Sequence, residues 1–353
     1  MKVLVVGGAG YLGGAVVDLL LASEHQPRVY DALLYEECYR KPVDFVYGDV
    51  RDTERLGREL AWADAVVWLA AVVGDRACAL NPTATNEINE KSVCWLANNF
   101  RRRVVFTSSC SVYGAQNGGA LTENSEINPL SLYASTKVTA EGHLRGKNAI
   151  IFRLGTLFGV GDTYCRLRLD LVVNTFVAQA FREGRICIHG GNQFRPLLHV
   201  CDAARAVMDG ITSSHTGLFN LHRQNVRIGD LAFQVRNHFP DLAIETIDVA
   251  LRDSRNYRVS SEKAQTRLGF RPTRSLDEGI EQVKDLLESN RLKQLDNPRY
   301  ANDRFLASAE AQAAVATRDQ SSAAISGGNG HGPEVGPPAV PHPSDHEKTA
   351  LAA

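Results

Sequence analysis

A tyrosine and a lysine stand four residues apart in the segment SLYASTK, at Tyr133 and Lys137. If the segment is helical, the two side chains lie on one face and are neighbours. An ammonium beside a phenol lowers the pKa of the phenol, and a phenolate near neutral pH can act as a general base. The same spacing also occurs on ordinary amphipathic helices, so the rest of the chain has to decide between the two interpretations.

Strand-like apolar runs alternate with helical patterns through the first half of the chain, which predicts βαβ units and a parallel sheet. We expect a Rossmann-type, doubly wound α/β domain over residues 1–160, with later segments returning to it. A smaller mixed α/β lobe is predicted for residues 161–303. Residues 304–353 are rich in Ala, Ser, Gly and Pro, which is typical of a disordered tail. The predicted strands of the first domain are KVLVV, RVYD, VDFVYGD, DAVVWLAA, RRVVFTSS and NAIIFRLG.

A glycine-rich loop, VLVVGGAGYLGG, follows the first strand and opens a helix. Such a loop turns tightly, lets the backbone approach a pyrophosphate, and offers the free N–H groups of a helix N-terminus. Its glycines match the dinucleotide-binding fingerprint in two overlapping registers. We therefore predict contacts to a dinucleotide from Gly7, Gly10, Tyr11, Leu12 and Gly13.

Two acidic residues follow the next two strands. Asp31 ends the second strand, about 20 residues after the glycines, where a carboxylate accepts from the adenosine ribose hydroxyls. It would repel a 2′-phosphate, so NAD is favoured over NADP. Asp49, with Val50, is placed to meet the adenine. The competing interpretation of each aspartate is a turn or helix-capping residue.

Composition narrows the class of protein. The 353 residues carry a formal net charge of −1, which does not indicate a nucleic-acid or membrane-surface binder. The cysteines are odd in number and scattered, which argues against a zinc site or a disulfide framework and favours a reduced, cytoplasmic setting. No apolar run reaches membrane-spanning length. The cysteines are Cys38, Cys78, Cys94, Cys110, Cys165, Cys187 and Cys201.

From residue 1 to about residue 300 the chain resembles the extended short-chain dehydrogenases/reductases, in particular the nucleotide-sugar epimerases and dehydratases. Several of the family's motifs occur in its order, which makes the resemblance specific. The resemblance implies further NAD contacts at Leu69, Ala70 and Ala71, and a role for Asn89 on the cofactor side. The motifs are the glycine loop, Asp31, GDVRD, LAA, TSSCSVYG, Tyr133 with Lys137, RLGTLFG, FRPLLHVCD and LGFRP.

The resemblance also implies a catalytic group of Ser109, Tyr133 and Lys137. In the family the tyrosine is the base, and the lysine lowers its pKa and holds the nicotinamide ribose. The serine hydroxyl bridges the sugar oxygen and the phenol. The reaction implied begins with removal of a proton and a hydride at the sugar C4, giving a ketone and reduced NAD.

The next step divides the family. Dehydratases have an Asp-Glu pair directly after the serine or threonine, whereas this chain has Cys110 and Ser111. Epimerisation at C4 requires only the three catalytic residues, so we expect a 4-epimerase. The alternatives are a 4-ketoreductase, a 4,6-dehydratase or an epimerase acting at another carbon. A non-catalytic, dinucleotide-binding regulatory protein is the alternative from another class, although such relatives usually lack the tyrosine–lysine pair.

The second lobe is expected to hold a nucleoside-diphosphate sugar. By resemblance, Asn174 contacts phosphate or sugar and Arg195 pairs with the diphosphate, with Arg255 as a second candidate. A planar guanidinium suits that task because it makes two charge-assisted hydrogen bonds. No metal ligand set is predicted. Relatives commonly dimerise through two helices from each subunit, so a homodimer is expected.

Overall fold

A computed structural model describes residues 1–312 of the chain, except residues 117, 162–163, 165, 248–254 and 293. Most of the predicted tail therefore lies outside the described residues. The strands are β1 (Lys2–Val6), β2 (Gln26–Asp31), β3 (Asp44–Tyr47), β4 (Ala65–Trp68), β5 (Arg103–Ser109), β6 (Ala149–Leu154), β7 (Thr156–Phe158), β8 (Arg185–His189), β9 (Phe194–His199), β10 (Gly217–Leu221), β11 (Gln224–Arg227) and β12 (Ala243–Ile247).

Helices connect most of these strands. A π-helical segment, Glu87–Lys91, joins α4 to α5, and short 3-10 helices cover Cys110–Tyr113 and Pro298–Tyr300. The α-helices are α1 (Tyr11–Leu21), α2 (Thr53–Trp62), α3 (Asp75–Leu80), α4 (Pro82–Asn86), α5 (Ser92–Asn99), α6 (Leu132–Leu144), α7 (Val172–Glu183), α8 (Val200–Thr212), α9 (Ile228–Arg236), α10 (Glu262–Leu268), α11 (Leu276–Glu288) and α12 (Asn302–Leu306).

The central sheet has seven strands in the order β10-β6-β5-β4-β1-β2-β3, and every neighbouring pair is parallel. Its inner strands are continuous apolar runs because both faces are covered by helices. The strand order reverses between β1 and β4. In such sheets ligands bind beyond the carboxyl ends of the strands at this reversal. The expected doubly wound Rossmann-type fold is confirmed.

The second lobe contains a three-stranded sheet, β11-β9-β7, and a two-stranded sheet, β12-β8. Its core gathers apolar side chains of α7, α9 and α11. The lobe sheet begins at β7, before residue 161, because β7 pairs with β9 rather than with the central sheet. Two elements that follow residue 161 belong to the first domain instead: α8 packs with α1 in its core, and β10 pairs with β6.

The end of the described chain differs from the expectation. The predicted tail begins at residue 304, but α12 spans that position and the chain is described to residue 312. Phe305 is 2% exposed and Ala311 is fully buried. The composition of this segment is poor in large apolar residues, yet one phenylalanine packs against Tyr35, which lies far away in sequence. The predicted start of the tail is therefore wrong.

Candidate functional site

A cavity of about 980 Å³ opens at the carboxyl ends of the central strands and extends into the second lobe. It is large enough for a dinucleotide site joined to a second ligand site. Most of the residues predicted from the sequence line it together. These are Gly7, Gly10, Tyr11, Leu12, Gly13, Asp31, Asp49, Val50, Leu69, Ala70, Ala71, Ser109, Tyr133, Lys137, Arg195 and Arg255.

The glycine loop packs so closely that side chains are excluded at two positions. Gly7 has a φ of +90°, and a Cβ there would lie 2.8 Å from the Ala70 Cα atom. A Cβ at Gly13 would lie 2.8 Å from the Gly8 Cα atom and still closer to the Gly7 carbonyl oxygen. The loop thereby leaves the N-terminus of α1 open towards the cavity, which is the arrangement that binds a pyrophosphate.

The variant Gly13→Ala tests this close packing. Forcing a methyl group into a filled site costs about 1–3 kcal/mol, so we expect a lower free energy of unfolding in urea and at least about tenfold weaker NAD binding. Gly57→Ala is the matched control, because a Cβ on that α2 residue meets its nearest atom, in Trp95, at 3.7 Å. Equal NAD affinity for the Gly13→Ala and wild-type proteins would contradict the assignment of the loop.

Both predicted acidic residues reach the cavity. The Asp31 carboxylate accepts hydrogen bonds from the backbone N–H groups of Ala9 (2.9 Å) and Leu33 (2.8 Å), so it joins the glycine loop to the segment after β2. Asp49 is ion-paired with Arg51 at 2.9 Å and accepts from the Arg51 backbone N–H. Asp31 is thus held by backbone donors beside the glycine loop, which is where a residue that binds the adenosine ribose is expected in this fold.

The helix α6 positions the tyrosine and the lysine. Its N-cap Ser131 accepts from the Ala134 N–H and donates to Asp75 at 2.6 Å, which fixes the start of the helix beside α3. Tyr133 follows in the first turn and Lys137 one turn later. The Lys137 ammonium is 4% exposed and donates to the Thr107 carbonyl oxygen at 2.8 Å.

Ser109 completes the predicted catalytic group from the end of β5. Its hydroxyl oxygen accepts from the Ser111 N–H at 3.1 Å, which orients it. It also interacts with the Tyr133 phenol. Ser109 lies at the end of β5, and Tyr133 and Lys137 lie on α6. The parallel sheet brings these two segments to one edge of the cavity.

The pKa values of this group differ from the expectation. Burial raises the pKa of Tyr133 above its usual range, while the charge of Arg168 and the hydrogen bond with Ser109 act in the opposite direction. Burial also lowers the pKa of Lys137 to about 8, so this lysine remains mostly charged at neutral pH. Its ammonium bonds to a carbonyl oxygen and lies 5.9 Å from the centre of the Tyr133 ring. The expected lowering of the phenol pKa by Lys137 is therefore wrong for the protein alone, because desolvation dominates.

Two predicted site residues do not line the cavity. The Asn89 side chain, 2% exposed, exchanges hydrogen bonds with both backbone groups of Val72 and so orders the segment after β4. Asn174 is fully buried; its amide bonds to the backbone of Gly159 and to the Arg168 carbonyl oxygen. Neither side chain lines the cavity, so neither is placed for the direct ligand contact that was predicted from the sequence. Their amides instead satisfy buried backbone groups of the loops that form the cavity.

The predicted arginines lie on the second-lobe side. Arg195 is 5% exposed and donates to the carbonyl oxygens of Phe194 (2.8 Å) and Arg255. Arg255 forms an ion pair with Asp75 at 3.2 Å. Both residues line the cavity, and the Arg195 guanidinium is bonded to the backbone of Arg255.

Sequence reasoning missed an arginine that acts on Tyr133, the predicted catalytic tyrosine. Arg168 lines the cavity, makes a bidentate ion pair with Asp170 at 2.9 Å, and lowers the pKa of Tyr133 against the effect of burial. Alternating arginines directly before a predicted helix, in CRLRLD, were the available signal. Nothing local in that pattern shows that it faces α6.

Among the residues that the structure describes, no helix is both long and apolar enough to cross a membrane. Within the same part of the chain, no group of three or more His, Cys, Asp or Glu side chains could hold a metal ion.

The sheet order, the glycine loop at the reversal point and the serine–tyrosine–lysine group define a nucleotide-cofactor enzyme of the Rossmann type. The chain belongs to the NAD dependent epimerase/dehydratase family, whose model matches residues 3–220. NAD is accordingly its cofactor, and the catalytic class is that of nucleotide-sugar epimerases and dehydratases.

Similar proteins catalyse different reactions. The chain is 27% identical to a putative UDP-glucose 4-epimerase of Methanocaldococcus jannaschii, over 82% of this chain and 99% of that protein. It is 26% identical to UDP-glucuronic acid decarboxylase 6 of Arabidopsis thaliana, over 79% of this chain and 87% of the other. The crystal structure of a Thermus thermophilus UDP-glucose 4-epimerase with NAD superposes with a TM-score of 0.72, at 24% identity over 82% and 99% of the two chains. The last likeness supports the fold.

Proposed function

We propose that the protein is an NAD-dependent nucleotide-sugar epimerase that inverts C4 through a transient 4-keto sugar, with Tyr133 as the acid–base residue. The observation that carries this proposal is the makeup of the group at the end of β5 and the start of α6. It contains a phenol, a hydroxyl and an ammonium, which suffice to remove a hydroxyl proton and return it.

The two positions after Ser109 do not supply a second acid–base group. Cys110 is fully buried and donates its S–H to the Arg153 carbonyl oxygen, and burial raises the pKa of its thiol. Ser111 is 3% exposed. A buried thiol with a raised pKa is a poor proton donor or acceptor at neutral pH. These two positions therefore supply no acid–base group for proton removal at C5 or for loss of water from C6.

In its phenolate form Tyr133 takes the proton of the C4 hydroxyl through the Ser109 hydroxyl, and as the phenol it later gives that proton back to the inverted alcohol. NAD, when bound, supplies the acceptor that removes the C4 hydride and returns it. Because burial raises the phenol pKa, the phenolate is a strong base once formed, and Arg168 with Ser109 reduces the cost of forming it. Arg195 and Arg255 hold the diphosphate while the ketone rotates.

Incubation of the NAD-loaded protein with a panel of nucleoside-diphosphate sugars in heavy water tests the reaction. We expect an isomer of unchanged mass without solvent deuterium, because the hydride returns from the cofactor to the same carbon. Deuterium in the isomer would instead indicate enolisation and epimerisation beside the ketone, and loss of water a dehydratase. Turnover only with added NADH would indicate a ketoreductase. Absence of turnover with every sugar and with NADH would favour the non-catalytic alternative.

A homodimer and a cytoplasmic location remain predictions. The dimer is proposed from the family's use of two helices that correspond to α5 and α6. Sedimentation of the full chain gives its mass directly, and a monomer at micromolar concentration would contradict this prediction.

A further inference from the structure

The segment from residue 297 to residue 312, called here the C-terminal strap, lies outside the part matched by the family model. It contains the 3-10 turn Pro298–Tyr300 and α12. Five consecutive residues of the strap, Tyr300 to Arg304, line the cavity that also contains the glycine loop and the predicted catalytic group. The strap therefore forms part of the wall of the cofactor site.

Two residues of the strap hold the loop after β2. The Arg299 guanidinium donates to the Tyr35 carbonyl oxygen at 3.1 Å, and the Phe305 ring packs on the Tyr35 ring with 5.3 Å between centroids. Phe305 is 2% exposed. Tyr35 lies four residues after Asp31, so these contacts fix the segment that follows the residue predicted to bind the ribose.

Other contacts of the strap reach the catalytic end of the site. Leu306 packs in a small apolar cluster with Tyr133 and Cys78. The Asn302 amide donates to the Val73 carbonyl oxygen at 2.7 Å, just after the predicted NAD contacts of β4. The strap thus contacts both the segment that follows Asp31 and the residues that surround Tyr133.

The strap also ties the cofactor domain to the second lobe. The Asn302 backbone N–H donates to Asp170 at 3.0 Å, and the Tyr300 carbonyl oxygen accepts from the Leu169 N–H at 2.9 Å. The Arg166 guanidinium donates twice to the Arg299 carbonyl oxygen, at 2.7 and 3.1 Å. These bonds connect residues more than 130 positions apart, so opening the strap breaks them together.

Two buried polar atoms on this wall have no hydrogen-bond partner within the described part of the chain. They are the Asn302 Oδ1 atom and the Tyr35 hydroxyl oxygen. Asn302 is 3% exposed and lines the cavity. A buried polar atom without a partner is costly, and such atoms are normally satisfied by water or a ligand. Neither atom is exposed on the surface of the cavity, so the two atoms mark a costly feature of this wall rather than contacts to a ligand.

We propose that the C-terminal strap closes NAD into its site, so that the cofactor leaves only when the strap detaches. This inference rests on NAD as the cofactor of the family to which the chain belongs. It goes further because it assigns the retention of the cofactor to residues beyond the family model. A trapped cofactor returns its hydride to the sugar that supplied it, which suits a reaction without net oxidation and does not suit a reductase that must exchange NAD in each turnover.

The exchange rate of NAD in the full-length protein tests the proposal. Protein loaded with isotopically labelled NAD is freed of excess cofactor and chased with unlabelled NAD, and the retained label is followed over time. The double variant Arg299→Ala/Phe305→Ala removes both anchors at Tyr35, and we expect it to exchange NAD at least about tenfold faster than wild type, the ratio that a barrier lower by about 1.4 kcal/mol gives. Arg58→Ala/Phe233→Ala, at exposed positions on α2 and α9, is the matched control and should exchange at the wild-type rate.

Asn302→Ala removes one side-chain hydrogen bond and leaves the apolar anchors, so it provides a test if the double variant fails to fold. It is expected to exchange faster than wild type by a smaller factor. Equal rates for the folded strap variants and wild type, or wild-type exchange within the mixing time, would overturn the proposal. Exchange needs no sugar, so slow exchange without epimerase activity would reject the proposed reaction and leave the strap assignment intact.

Discussion

The variant Tyr133→Phe is expected to lower kcat by about 10²–10⁴-fold, the usual contribution of a positioned acid–base group. The phenyl ring preserves the packing against Leu306 and Cys78, so the loss should come from the missing hydroxyl. The change removes a proton carrier rather than a binding contact. The Kd for NAD should therefore stay within about twofold of the wild-type value. Steady-state assays and NAD titration measure the two quantities separately.

Tyr47→Phe is the matched control for this prediction, because that tyrosine lies on β3 and is 52% exposed. It should leave kcat unchanged. Full turnover by the Tyr133→Phe protein would show that the phenol is not the acid–base residue. A large loss of NAD affinity would show that the hydroxyl serves binding instead.

The largest expected loss of stability follows Glu141→Ala. Glu141 lies one turn after Lys137 on α6, and its carboxylate makes a bidentate ion pair with Arg153 at 2.6 and 2.9 Å, with both side chains about 5% exposed or less. It also accepts from the Ser108 hydroxyl at 2.5 Å. Removing one partner of a buried pair leaves an uncompensated charge and costs about 3–5 kcal/mol. Urea unfolding should show this loss.

Glu54→Ala is the control, because Glu54 makes the same kind of bond with Arg58 on the surface of α2, where both side chains are more than 60% exposed. Exposed helix pairs contribute about 0.3–0.5 kcal/mol. A similar small effect for Glu141→Ala would mean that the Arg153 charge finds another partner or water. The buried network would then have no special role beneath the catalytic group.

Local patterns in the sequence determined the framework of the site. The glycine loop, the acid at the end of β2 and the spacing of Tyr133 and Lys137 are properties of short segments, set by the twist of a strand and the turn of a helix. The alternation of strands and helices likewise predicts the parallel sheet, because crossover connections constrain which strands can pair. These features can be read without knowing what lies across the cavity.

Tertiary packing decided the electrostatics and the closure of the site. The pKa of Tyr133 depends on how much protein surrounds the phenol and on Arg168, which a loop 35 positions later brings near. Asn174 matched a ligand-binding motif, but its amide is used by the Gly159 and Arg168 backbone. The strap is poor in large apolar residues, but it has a defined structure because Phe305 packs against Tyr35, which lies 270 positions earlier in the sequence. Desolvation and contacts between distant segments exist only once the chain has folded, so no local pattern encodes them.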